Sequence, residues 1–145
     1  MPFKANELYI EVIGGGEIGE TIIVGLPDGS FGLIDCFTPS LSNPDENKIL
    51  ARLRELHVSE LEFIALTHPH ADHFRGMSHI LEKMPPKQFW QFGGSTKALF
   101  EALPLYLMAE ALAGSHKIDK SNVEDLKATL RLVGEGLNFK KIRFQ

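Results

Sequence analysis

The run Leu61, Phe63, Ile64, Ala65 and Leu66 constrains this chain more than any other stretch. It is nearly continuous in apolar residues and follows a segment with helical patterning. Such a run reads as a strand buried on both faces, and helix followed by buried strand implies an α/β layer arrangement. It leads straight into Thr67-His68-Pro69-His70-Ala71-Asp72-His73. Imidazoles and a carboxylate thus crowd the carboxyl end of a buried strand, a usual place for a site in such proteins. His68 and His70 alternate, so on extended backbone they project to the same side and can grip one ion. Asp72 and His73 lie where the chain turns into the next helix. They can face a second ion, or a water on the first. Imidazole and carboxylate are donors that a borderline dication such as zinc accepts, and manganese or iron would take the same set. The spacing suits two ions about 3.5–4 Å apart. A His-rich surface loop is the bland alternative. It would serve for one histidine, but poorly for four ligand-type residues after a buried strand.

The chain before the cluster reads as β structure. Leu8 to Ile13 and Thr21 to Leu26 are rich in strand formers, with Gly14, Gly15, Gly16 and Gly19 between them. A phosphate-cradling loop would need a helix next. A strand follows instead, so a plain connection is expected. Pro27-Asp28-Gly29-Ser30 is a turn signal, and Phe31 to Asp35 returns as the partner strand. A helix is expected to open at Asn43-Pro44, with Asn43 as cap, and to bury Ile49, Leu50, Leu53 and Leu56 before ending at His57 and Val58.

After the cluster, Phe74, Met77, Ile80, Leu81 and Met84 predict one helix, stopped by Pro85-Pro86. Gln88 to Phe92 predicts a strand, in which Phe89, Trp90 and Phe92 pack rather than stack on bases. A helix over about Thr96 to Ala113, kinked at Pro104, presents an apolar face from Leu99 to Met108. Ser121-x-x-Glu124 is a capping box for a further helix, and Lys140 to Phe144 predicts a last strand.

With 145 residues the chain is long enough for one cored domain, residues 1–145. Its charge of −4 argues against a broad nucleic-acid-coating basic surface. Lys140, Lys141 and Arg143 read as a solvated strand edge. Cys36 is the sole cysteine, which fits a reducing compartment. No leader-like or membrane-spanning apolar run is present, since a span needs roughly 20 such residues. These features read as a cytoplasmic protein.

A bound dication lowers the pKa of its water toward roughly 7, so a hydroxide becomes available near neutrality for attack on an ester-type bond. Asp72 could bind the second ion or orient that hydroxide as a proton acceptor, and is the candidate catalytic residue.

The motif His68-x-His70-x-Asp72-His73, with Thr67 before it and Gly76 after it, resembles the signature of the metallo-β-lactamase-fold hydrolases. Leu33-Ile34-Asp35, closing a hairpin, resembles that family's other N-terminal landmark. The resemblance covers most of residues 8–92 and implies an α/β fold of α+β type, the N-terminal half of a four-layer αβ/βα sandwich. It implies that His68 and His70 bind one zinc ion and Asp72 and His73 a second. Asp35 would be a supporting residue, or simply a strand-end turn residue. The family completes its site with further His and Asp ligands from the second half, and none matches here. His116 lacks the strand expected before it, and His57 and His79 read as surface or packing histidines. The domain is therefore expected to be incomplete, with a complementary C-terminal half or self-association to supply the rest.

Gly19-Glu20-Thr21, the Pro27-Asp28-Gly29 turn and Leu33-Ile34-Asp35 resemble hydrolase domains attached to bacterial DNA-uptake channels and related stand-alone hydrolases. Glu20 stands where an Asp is commoner. Phe74-Arg75-Gly76-Met77 lacks the Gly-Gly pair of the glyoxalase-type thioesterases. Both points favour a phosphodiester or nucleic-acid substrate. Arg75 could hold its anionic group, or form a surface ion pair. Thioester, lactone or β-lactam hydrolysis is the alternative. So is a catalytically incomplete module that only binds metal or a partner.

Overall fold

A computed structural model describes residues 4, 6–14, 19–38, 42–67, 71–92, 120–135 and 140–144. Among the described residues six strands form one mixed sheet: β1 (Tyr9–Ile13), β2 (Thr21–Gly25), β3 (Phe31–Ile34), β4 (Leu61–Leu66), β5 (Pro86–Phe92) and β6 (Lys140–Phe144). They lie side by side in chain order. β1, β2 and β3 pair antiparallel, and β3 to β6 pair parallel. The helices are α1 (Lys48–Glu55), α2 (Ala71–Phe74), α3 (Met77–Lys83) and α4 (Lys120–Glu135). This is an α+β arrangement, as the sequence implied. The helix expected over residues 96–113 lies outside the described residues.

The antiparallel unit follows from its turns. Gly29 takes φ 88°, a left-handed value that costs glycine nothing. Asp28 Oδ1 accepts from Ser30 N at 2.9 Å and from Ser30 Oγ at 2.6 Å, which pins the β2–β3 turn. β3 and β4 are parallel because α1 carries the chain across between them.

Strand residues divide cleanly between two faces. Ile23, Leu33, Ile64 and Phe89 are mutual neighbours by register or alternation, and all are buried. They pack with Ile49, Leu50 and Leu53 of α1, Met77, Ile80 and Leu81 of α3, and Leu126 and Val133 of α4. Each such side chain contributes about 1.5–3 kcal/mol by leaving water. β4 is buried along nearly its whole length, as its composition predicted.

The opposite face carries Ile10, Val12, Ile22, Val24, Gly32, Ile34, Phe63, Ala65, Gln88 and Trp90 on β1 to β5. Gly32 is required there: a Cβ at this position would fall within the ring of Phe63. Phe63 in turn stacks on Trp90, with ring centroids 4.6 Å apart. Ile10 and Val12 on β1, and Leu8 just before it, are more than half exposed.

Four boundaries differ from the sequence expectation. Asn43 caps only a 3-10 turn, Pro44–Glu46. The α-helix starts at Lys48 because Asn47 is extended and its Oδ1 accepts from Ile49 N and Leu50 N. The helix predicted after the His cluster is two helices, broken where Gly76 takes φ 87°. β5 begins at Pro86, which a strand tolerates at its first residue. α4 takes in Lys120, so Ser121 lies in the first turn rather than ahead of it.

α1 is also tied to β1. Arg52 Nε donates to both carboxylate oxygens of Glu11, at 2.9 and 3.1 Å, and Tyr9 Oη donates to Glu11 as well. The Arg52 guanidinium holds the Glu11 carboxyl below its ordinary value of 4.5. A carboxylate lowered on folding stabilises above its unfolded pKa, and that contribution fades as pH falls through the folded value. Glu11→Gln is expected to cost about 0.5–1 kcal/mol at pH 7, and progressively less toward pH 3, by urea unfolding. A pH-independent difference would show that the ion pair is not its source.

Cys36 is fully buried just after β3, and burial pushes its thiol far up. Only the thiolate reacts with disulfide reagents or alkylators. Folded protein at pH 8 is therefore expected to resist labelling at Cys36, with label entering only as fast as the chain opens. Rapid labelling without denaturant would contradict this burial.

Candidate metal centre

β3 and β4 run parallel, with Ile34 opposite Ala65. Their carboxyl ends therefore arrive together, and the residues just beyond them meet. Asp35 N donates to Ala65 O at 2.8 Å. Asp35 then leaves the strand at φ 57°, a left-handed value that Asp adopts more readily than most residues. This turns its side chain back over β4.

The carboxylate of Asp35 is buried and has three partners. Oδ1 accepts from Thr67 N at 2.8 Å. Oδ2 accepts from Thr67 Oγ1 at 2.6 Å, and lies 2.7 Å from His73 Nδ1. A carboxylate only accepts, so the neutral imidazole of His73 must carry its proton on Nδ1. The lone pair is then on Nε2. Carboxylate behind a histidine in this way is how proteins fix the tautomer of a metal ligand.

Nε2 of His73 lies 3.4 Å from Asp72 Oδ2. Two donors at zinc bonding distances on one tetrahedral ion are about 3.4 Å apart, so this pair has the bite of a shared dication. Imidazole nitrogen and carboxylate oxygen are donor types that zinc accepts, and this pair would supply two of them. Asp72 and His73 sit together on the short helix α2, both half-buried. Asp35 thus holds both the His73 ring and the chain at Thr67, besides turning the end of β3.

The backbone is held as firmly as the ring. Cys36 N donates to His73 O at 2.8 Å, Thr38 N to Arg75 O at 3.0 Å, and Arg75 Nε to Thr38 O at 3.0 Å. Residues 36–38 and 73–75 therefore form a short ladder beside the site. Gly76 closes it. Its N–H donates to Asp125 Oδ2 at 2.8 Å, and its carbonyl accepts from Asn47 Nδ2 at 3.2 Å.

His68, His70 and His116 lie outside the described residues. Among the described residues no group of three or more His, Cys, Asp or Glu side chains is placed to hold a metal. His79 is a packing histidine, buried with Nδ1 3.4 Å from Asn47 Nδ2. His57 ends α1 at φ 58° and is exposed. Trp90 stacks on Phe63 and Phe89 is buried, so both serve packing.

Thr67 stood in the motif without a role of its own, and Asn47 and Asp125 were not marked by the sequence reading. Asp125 had a legible signal. It falls at i and i+8 with Val133 on the buried side of α4, where an acid is expensive unless bonded.

The fold and this arrangement define an α+β protein with a carboxylate–histidine pair at the carboxyl edge of its parallel strands. No protein-family model matches the chain, and no curated protein matches its sequence. Among the described residues no helix is long and apolar enough to cross a membrane.

Proposed function

We propose that the chain is a metal-dependent hydrolase of the metallo-β-lactamase-fold type, acting on a phosphodiester or nucleic-acid substrate. In this reading residues 1–145 are the N-terminal half of the four-layer sandwich. His68 and His70 hold one zinc ion, and Asp72 and His73 hold the second. One observation supports it above the rest: Asp35 sets the His73 tautomer so that Nε2 faces Asp72 at 3.4 Å.

The roles of the chain's own groups follow. Asp35 Oδ2 keeps a proton on His73 Nδ1 and holds the ring plane. Thr67 donates to both Asp35 oxygens, so the carboxylate does not rotate away. Asp72 offers a carboxylate oxygen that can bind an ion or take a proton from the attacking water. When bound, zinc supplies a water of lowered pKa and a positive charge against the developing oxyanion. The buried lone thiol Cys36 accords with a cytoplasmic, reducing setting.

A partner is part of the proposal. Parallel sheets are normally covered on both faces. Among the described residues the helices pack on one, and the other is mainly apolar over β1 to β4, with Leu8, Ile10 and Val12 exposed at its β1 side. That face suits the apolar sheet of a complementary half.

The test is metal content by mass spectrometry, for this chain and for a His68→Ala, His70→Ala double variant. The expected result is bound zinc in the first and a marked drop in the second. Absence of metal from the unaltered chain would sink the hydrolase reading for it and favour a partner-binding module. Hydrolysis of bis-p-nitrophenyl phosphate against thioester, lactone and β-lactam chromogens then decides substrate class.

A further inference from the structure

Asp125 is a buried acid on α4, more than fifty residues beyond His73 in sequence, yet its carboxylate ends on the segment that carries the site. Oδ2 accepts from Gly76 N at 2.8 Å and Oδ1 from Ser78 Oγ at 2.5 Å. Gly76 is the residue where the chain breaks from α2 into α3, at φ 87°. It has no side chain with which to cap α3, so the cap comes from another helix. The Gly76 carbonyl is gripped from the other side by Asn47. The bend is therefore fixed between α1 and α4, three residues after His73.

We infer that Asp125 is a positioning residue of the His73 site, setting the α2–α3 bend and so the placement of His73 against Asp35. This rests on the proposal that His73 is a metal ligand. Deleting the carboxylate leaves Gly76 N–H and Ser78 Oγ buried without their acceptor. The segment must then shift to find water, and that shift strains the bonds that hold His73 O and Arg75 O to residues 36–38. Burial raises the Asp125 carboxyl, against the pull of its two hydrogen bonds and the nearby His79 and Arg75. What the bend takes from this residue, by geometry, is acceptor oxygens for Gly76 N and Ser78 Oγ. Asparagine supplies one to Gly76 N and can donate to Ser78 Oγ.

The experiment compares Asp125→Ala, Asp125→Asn, Ser78→Ala and Lys127→Gly. Lys127 is exposed on the same helix, so its replacement loosens α4 without touching the bend. Two quantities are read on folded protein. One is zinc affinity, by competition with a chromophoric chelator. The other is the His73 tautomer, by long-range proton–nitrogen NMR of the metal-free chain.

Asp125→Ala is expected to weaken zinc binding about tenfold, the low end for outer residues of a metal site. It should also turn a single Nδ1–H tautomer into a mixture. Asp125→Asn should stay within twofold and keep the single tautomer. Ser78→Ala should fall two- to threefold, and carries the test if Asp125→Ala does not fold. An unchanged tautomer and affinity in Asp125→Ala, or in Ser78→Ala where that stands in, would overturn the inference. So would an equal effect from Lys127→Gly. If the unaltered chain binds no zinc, the metal reading fails, and the tautomer measurement still decides the role of Asp125.

Discussion

Asp35→Asn is expected to lower zinc affinity by about 10–100-fold, the range for losing the partner behind a metal-bound histidine. The substitution is nearly isosteric, so shape is not the cause. An amide oriented to keep accepting from Thr67 N would present its NH2 to His73 Nδ1. Two donors cannot face each other, so the imidazole must place its proton on Nε2. That removes the lone pair from the side facing Asp72. Chelator competition reads the affinity, and urea unfolding reads stability, which should fall far less than the binding energy does. Wild-type affinity in this variant would show that Asp35 does not set the tautomer.

Gly76→Ala is expected to be among the most destabilising single-methyl changes in the chain. Its φ of 87° is strained for any residue with a Cβ, by about 1–2 kcal/mol. The added methyl would also collide with Thr38 Cγ2 and sit 3.0 Å from Asn47 Nδ2. Overpacking a buried site costs about 1–3 kcal/mol. Together these give about 2–5 kcal/mol, a large part of the stability of an ordinary domain. Chemical denaturation checks the size. A loss below 1 kcal/mol would mean that the α2–α3 bend is loose, and would count against a fixed His73.

Much of this architecture was legible because its signals are local. The β1–β3 unit announces itself through strand formers and the Pro27–Ser30 turn. β4 is recognised by its unbroken apolar composition, and residue type alone singles out Asp72 and His73 as candidate ligands. The bends were harder. Gly76 sits inside a helical pattern that runs from Phe74 to Met84, and periodicity continues straight through it. Only the crowding by Thr38 and Asn47, which are distant in sequence, shows why a glycine stands there. Asn43 and Asn47 are both capable caps, and which one starts the α-helix depends on where Asn47 also reaches Gly76. The Asp35–His73 bond was legible only as a guess about a supporting residue. It spans thirty-eight positions and exists because β3 and β4 end level with each other. Long-range hydrogen bonds of this kind leave no periodic trace.

The strands lie in the sheet in the order in which they occur in the chain. During synthesis each new strand can therefore pair with the one already in place, without waiting for a later segment to be inserted between them. The hairpins β1–β2 and β2–β3 close short loops, and each parallel addition needs only its own crossover. Growth by accretion from the amino terminus is the natural route. On that route Asp35, Thr67 and His73 would come together before α4 is made, and the Asp125 clamp would close last.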